Sequence, residues 1–305
     1  MEADILLHAI LAPLALAAAL LALPLAAWRV LDHRRRRHAP GGVPRDAVLD
    51  TRFSIGPLVL VPLAAFAHQQ GIIGEDWRQA FERPGTSFGW LPVALLVAAV
   101  VATALDRVAR ACGVAGTAIA SCVVALSAMS LVGPPGFSGA GWRLGAAVIV
   151  VLASVGSSAA ARGTTRATFI AWWGTLAAAS GACLLSGFAK LAVVLGAGSA
   201  AAALGAVLCS AFPWVRADAG VGATFAVLLG AGAFLGMGYD ERGIPVACWA
   251  VIAAAPSAAA AALLVRGRPS VAAALRAGLP IAVALGAVAA AAALTASAAP
   301  DASGY

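Results

Sequence analysis

A chain of 305 residues that is 62% hydrophobic and only 11% charged is excluded from the ordinary soluble class, where about 25% of residues carry charge. The composition fits an all-α, polytopic transmembrane helix bundle. The net charge of +7 does not indicate a nucleic-acid partner, because the basic residues lie at the ends of apolar runs rather than on one basic face; the lipid bilayer is the expected partner.

Nineteen of the basic residues are Arg and one, Lys190, is Lys, while Ala and Gly abound. That bias suggests a GC-rich bacterial genome, and hence the bacterial cytoplasmic (inner) membrane. The five cysteines are dispersed, with no C-x-x-C pair and no His at ligand spacing, so neither a metal nor another cofactor is expected.

The first predicted helix, about 5–31, is preceded by Glu2 and Asp4 and followed by Arg34, Arg35, Arg36 and Arg37. A cleavable signal has the reverse order, with positive charge before the apolar core. The segment therefore reads as a retained anchor. Four adjacent guanidinium groups are held on the cytoplasmic side and set the topology, with the amino terminus outside. Residues 32–54 form an Arg-rich cytoplasmic loop. A second helix, about 55–70, is short for a span, since about 20 residues are typical, and ends in His68, Gln69 and Gln70. Whether it crosses fully is left open.

In the outer loop 71–89, Ile73, Trp77 and Phe81 recur every fourth residue among Glu75, Asp76, Arg78 and Glu82. This is the pattern of a short amphipathic helix lying along the membrane surface. Eight further spans are expected at about 88–106, 112–132, 142–161, 167–186, 190–212, 219–238, 244–265 and 277–297. Gly133-Pro134-Pro135-Gly136 must be a turn, and the long apolar stretch from Ala167 to Phe212 must be a hairpin turning near Ser186-Gly187. Gly232 and Gly236 form a small-x-x-x-small pair that invites close helix packing. Assigned to sides, fifteen basic residues fall inside and five, Arg78, Arg83, Arg143, Lys190 and Arg242, outside. The excess on the predicted inner side supports ten spans, with both termini non-cytoplasmic. The chain is then one integral membrane domain, 1–305, with five-helix halves 1–161 and 167–305 of opposite orientation, an arrangement frequent among secondary transporters.

Chemistry is sparse. No Asp or Glu lies in the middle of any predicted span, which weakens ion-coupled transport and embedded acid-base catalysis together. The nucleotide-binding loop, the zinc-protease helix and the serine nucleophile elbow are all missing, so an ATPase or conventional hydrolase is disfavoured. The candidate substrate-binding residues are His68, Gln69, Gln70, Glu75 and Asp76 at the outer surface, where a His near carboxylates can hold a cation or polar head group. Lys190, an isolated charge that snorkelling to the interface also explains, completes the set. Trp172-Trp173 reads as packing or lipid contact, and Asp240-Glu241 as a polar turn. Three functions fit: a permease or secondary transporter for a small or amphipathic solute; a structural subunit bound to other membrane subunits or to copies of itself; and a lipid-modifying enzyme at the outer surface using His68 with Glu75 or Asp76.

Overall fold

The structure, a computed structural model, describes residues 90–134, 136–137, 139–161, 165–211, 219–265 and 269–297. Among these the chain is helical with no strand: α1 (Leu91–Ala111), α2 (Gly113–Met129), α3 (Ala140–Ala161), α4 (Thr165–Leu185), α5 (Ala189–Ala211), α6 (Ala219–Gly238), α7 (Val246–Ala254), a 3-10 segment (Ala255–Leu264) and α8 (Pro269–Ser297). The predicted segments from residue 88 onward fall on these elements.

Five stretches are long and apolar enough to cross a membrane: Ala140–Ser158, Arg166–Leu185, Ala189–Ser210, Val246–Leu264 and Pro269–Ser297. The apolar parts of α1, α2 and α6 are shorter. Their length and composition suit a helical membrane protein. On its outside Leu96, Val100, Ile119, Leu126, Leu144 and Leu152 are each more than half exposed, a surface suited to acyl chains and a liability in water.

Three boundaries differ from the sequence reading. α1 continues past Asp106 to Ala111, because Arg and Ala, which favour helix, make up most of the stretch and the corner comes only at Gly113, whose φ of +61° suits glycine. α8 begins at Pro269 rather than near 277, since proline fits the first helical position, where its missing N–H would have been unpaired anyway. The span at 244–265 is not one α-helix. Pro256 has no N–H to give to the Ile252 carbonyl, and Ala255 N–H already bonds that carbonyl three residues back. The tighter winding then persists for ten residues, to Leu264; 3-10 runs beyond about four residues are uncommon.

The centre of the bundle is α6, which touches α1, α2, α3, α4, α5 and α7. Every residue from Gly222 to Gly236 is buried. Its glycines make this crowding possible. A Cβ on Gly232 would lie 2.7 Å from Leu195 Cδ2 of α5, and one on Gly236 would lie 2.6 Å from the Trp249 ring of α7. Gly230 and Gly238 receive Val150 and Pro134 in the same way. With lipid on one side and protein on the other, burial gives little hydrophobic gain, and such close packing supplies the attraction between helices. α8 lies to one side, on α4, α7 and the 3-10 segment, and carries Pro280 within it.

Candidate functional site

Hairpin connections alternate the helices, so Gly113, Ala161, Thr165, Ala211, Ala219 and Leu264 mark one end of the bundle. We call it the arginine end, after Arg107 and Arg110 in the last turns of α1 and Arg166 at the start of α4; Arg162, Arg216, Arg266 and Arg268 lie outside the described residues. Leu185, Ala189, Gly238 and Val246 mark the other.

The other end is built by turn chemistry. α4 stops in a Schellman motif: Phe188 N–H donates to Cys183 O at 2.9 Å and Gly187 N–H to Leu184 O at 3.2 Å, with Gly187 at φ +89°. Across from it, the Asp240 carboxylate accepts from Arg242 N–H at 2.9 Å and from Ile244 N–H, fixing the α6–α7 turn. The two turns are joined. Glu241 N–H donates to Ser186 O at 3.2 Å, and the Phe188 and Tyr239 rings meet with centroids 4.8 Å apart.

Of the expected site residues, His68, Gln69, Gln70, Glu75 and Asp76, and the topology-setting Arg34, Arg35, Arg36 and Arg37, lie outside the described residues. Lys190 is the second residue of α5 and exposed, close in sequence to the Gly187 turn. Asp240 and Glu241 do form a turn. Trp172 and Trp173 separate: Trp172 is 1% exposed and stacks on Phe225 at 5.7 Å, while Trp173 is 47% exposed. Successive helical residues point about 100° apart, so one indole enters the core and the other faces outward. None of the five cysteines is in a disulfide, and among the described residues no three His, Cys, Asp or Glu gather as metal ligands.

Among the described residues the buried polar residues are serines and threonines, Thr117, Ser121, Ser154, Ser157, Thr168, Thr175, Ser186, Ser199 and Thr224, and the indole N–H groups of Trp172 and Trp249 are buried without a hydrogen-bond partner. Many of the hydroxyls bond back to their own helix, as Thr175 does to Ala171 O at 2.9 Å, which is how hydroxyls survive in an apolar interior. Three cross between helices. Ser180 donates to Ala192 O at 2.7 Å and Ser199 to Trp173 O at 2.8 Å, tying α4 to α5. Ser121 and Ser154 meet at 2.8 Å and tie α2 to α3.

Near the arginine end the bonding is incomplete. Ser158 Oγ is buried with no hydrogen-bond partner, a deficit that costs about 1–3 kcal/mol. Ser157 donates to Ser154 O at 3.1 Å, which leaves its lone pairs. Both hydroxyls face α6 where it has no side chain: a Cβ on Gly222 would sit 3.3 Å from Ser158 Oγ and 3.5 Å from Ser157 Oγ. Next to them Gly156 lets the 3-10 segment approach closely, since a Cβ there would lie 2.6 Å from Ser257 Cα. The hydroxyl group was missed in the sequence because serine in an Ala-rich helix reads as small filler. The available signal was Ser154, Ser157 and Ser158, at i, i+3 and i+4 on one face.

No protein family, no curated protein and no solved structure matches this chain.

Proposed function

We propose that this chain is a multi-pass protein of the bacterial inner membrane, with ten spans and both termini non-cytoplasmic, that acts as a permease or secondary transporter for a small solute. The observation that carries this reading is the 3-10 segment. A membrane-crossing element that changes winding at Pro256, next to a backbone contact at Gly156, is a place where two packings can lie close in energy. Interrupted helices commonly line solute paths in transporters, and long 3-10 stretches mark hinges. The absence of acidic residues from the middle of α1–α8 favours an uncoupled path for uncharged solutes over one driven by ions.

Purified protein in liposomes should carry at least one of a panel of neutral and amphipathic solutes faster than protein-free vesicles, with no need for a pH gradient. Movement of none of them, together with co-purification of fixed amounts of other polypeptides from native membranes, would replace transport by the subunit reading. The surface-enzyme reading rests on His68; undiminished function in His68→Ala removes it.

A further inference from the structure

We infer that Ala255–Leu264 is a winding switch: the 3-10 form seen here and an α-helical form of the same residues, about 5 Å shorter, are two states in which this span crosses the bundle. The inference deepens the transport reading and rests on it only for what the movement serves.

The residues themselves favour the α form. Residues 258–262 are five alanines in a row, and alanine is the best α-helix former. Pro256 does not oppose α winding beyond itself, because its ring and its missing N–H disturb only the turn before it, at the Ile252 carbonyl. What holds the tighter winding is packing at Ser257. Its hydroxyl donates to Ala254 O at 2.6 Å, and that carbonyl is the one Ala258 N–H would take in an α-helix. Its backbone lies against α3 where Gly156 has no side chain, with Ser257 Cα 2.6 Å from the place a Cβ would occupy. Both holds are on one residue.

Burial records the present form. Pro256, Ala259 and Ala262 are buried, three apart as a three-residue turn requires, while Leu263 is 51% and Leu264 83% exposed. At about 100° per residue instead of about 120°, the face of Pro256 is shared by Ala259, Ala260 and Leu263. The change of winding therefore carries Ala262 off the packed face and Leu263 on to it. It changes length as well. Val246–Leu264 has 19 residues, which measure roughly 33 Å as wound here and roughly 28 Å if α-helical throughout, on either side of a hydrocarbon layer about 30 Å thick. Both forms span, and bilayer thickness selects between them.

The test is a distance measurement by double electron–electron resonance on the full chain. Val251 and Leu264, both exposed, are replaced by Cys and spin-labelled in a background where Cys112, Cys122, Cys183, Cys209 and Cys248 are replaced by Ala, and the chain is placed in bilayers of short-chain and of long-chain phosphatidylcholine. The expected result is two distances about 5 Å apart, the shorter one severalfold more populated in the thin bilayer. Ser257→Ala, which frees the Ala254 carbonyl, should raise the shorter population severalfold in the thick bilayer, while the thermal unfolding midpoint shows the protein still folded. Gly156→Ala, which forces the segment off α3 without touching that hydroxyl, should do the same. A single distance, unchanged between the two bilayers and in both variants, would overturn the proposal. Solute flux into liposomes is measured separately. Two distances without flux keep the switch and remove the transport reading; flux through a chain that shows one distance keeps transport and removes the switch.

Discussion

The turns at the two ends of the bundle are built differently, although each end holds one buried polar atom without a partner, Trp249 Nε1 at one and Ser158 Oγ at the other. Beyond Leu185 and Gly238, the Asp240 carboxylate accepts two N–H groups, Glu241 N–H is bonded across to Ser186 O, and Phe188 closes on Tyr239. Toward Ala161 and Ala219, by contrast, Ser158 is left unbonded and the neighbouring span abandons α-helical winding. Satisfied turns hold helix ends in one arrangement, whereas the irregular winding of Ala255–Leu264 leaves the opposite end without a regular helical neighbour.

The contrast can be broken most severely at Gly156. In Gly156→Leu the new side chain meets the backbone of Ser257, which cannot rotate away as a side chain can. Overpacking costs typically about 1–3 kcal/mol, and here the upper part of that range is expected. It should appear as a lowered unfolding midpoint in detergent and loss of any transport activity. Unfolding as late as the parent would mean that the 3-10 segment shifts freely. At the satisfied end, Asp240→Ala removes the acceptor for two N–H groups and should cost about 1–2 kcal/mol. Its effect should be localised: amide hydrogen exchange rises at Arg242 and Ile244 and stays unchanged near Ser158. Smaller still, Ser180→Ala cuts one tie between α4 and α5 and should cost about 0.6 kcal/mol, the average for hydrogen bonds between helices in a membrane. A change of similar size has the opposite sign. Gly286 of α8 has open space where a side chain would go, so Gly286→Ala should stabilise by about 0.4–1 kcal/mol through the unfolded chain. A loss of stability there would point to a neighbour packed on α8.

Turns were the most legible part of the fold. Ser186-Gly187, Gly133-Pro134-Pro135-Gly136 and Asp240-Glu241 can be placed from residue chemistry alone, and between them helix lengths follow. Facing directions were not legible. α4 through α7 are apolar on all sides, so no hydrophobic stripe tells which side turns inward, and nothing in the order Trp172-Trp173 says which indole is buried. The same uniformity hid the hydroxyl contacts, since they depend on Ser121 lying opposite Ser154 and on Gly222 facing Ser158, relations set by packing across helices distant in sequence. Pro256 was visible, but proline alone does not tell a kink from a change of winding. The Gly232–Gly236 spacing was readable as small, whereas the partners it admits, Leu195 and Trp249 from two different helices, were not.

The length of α8 has its own consequence. Its 29 residues make a rod of about 43 Å, against a hydrocarbon layer about 30 Å thick. The stretch from Ala277 to Ser297 alone is about as long as that layer is thick, so all 29 residues fit within it only if the helix tilts. A helix longer than its layer follows membrane thickness by changing its tilt, and α8, packed on α4, α7 and the 3-10 segment, can do so only by carrying those contacts with it.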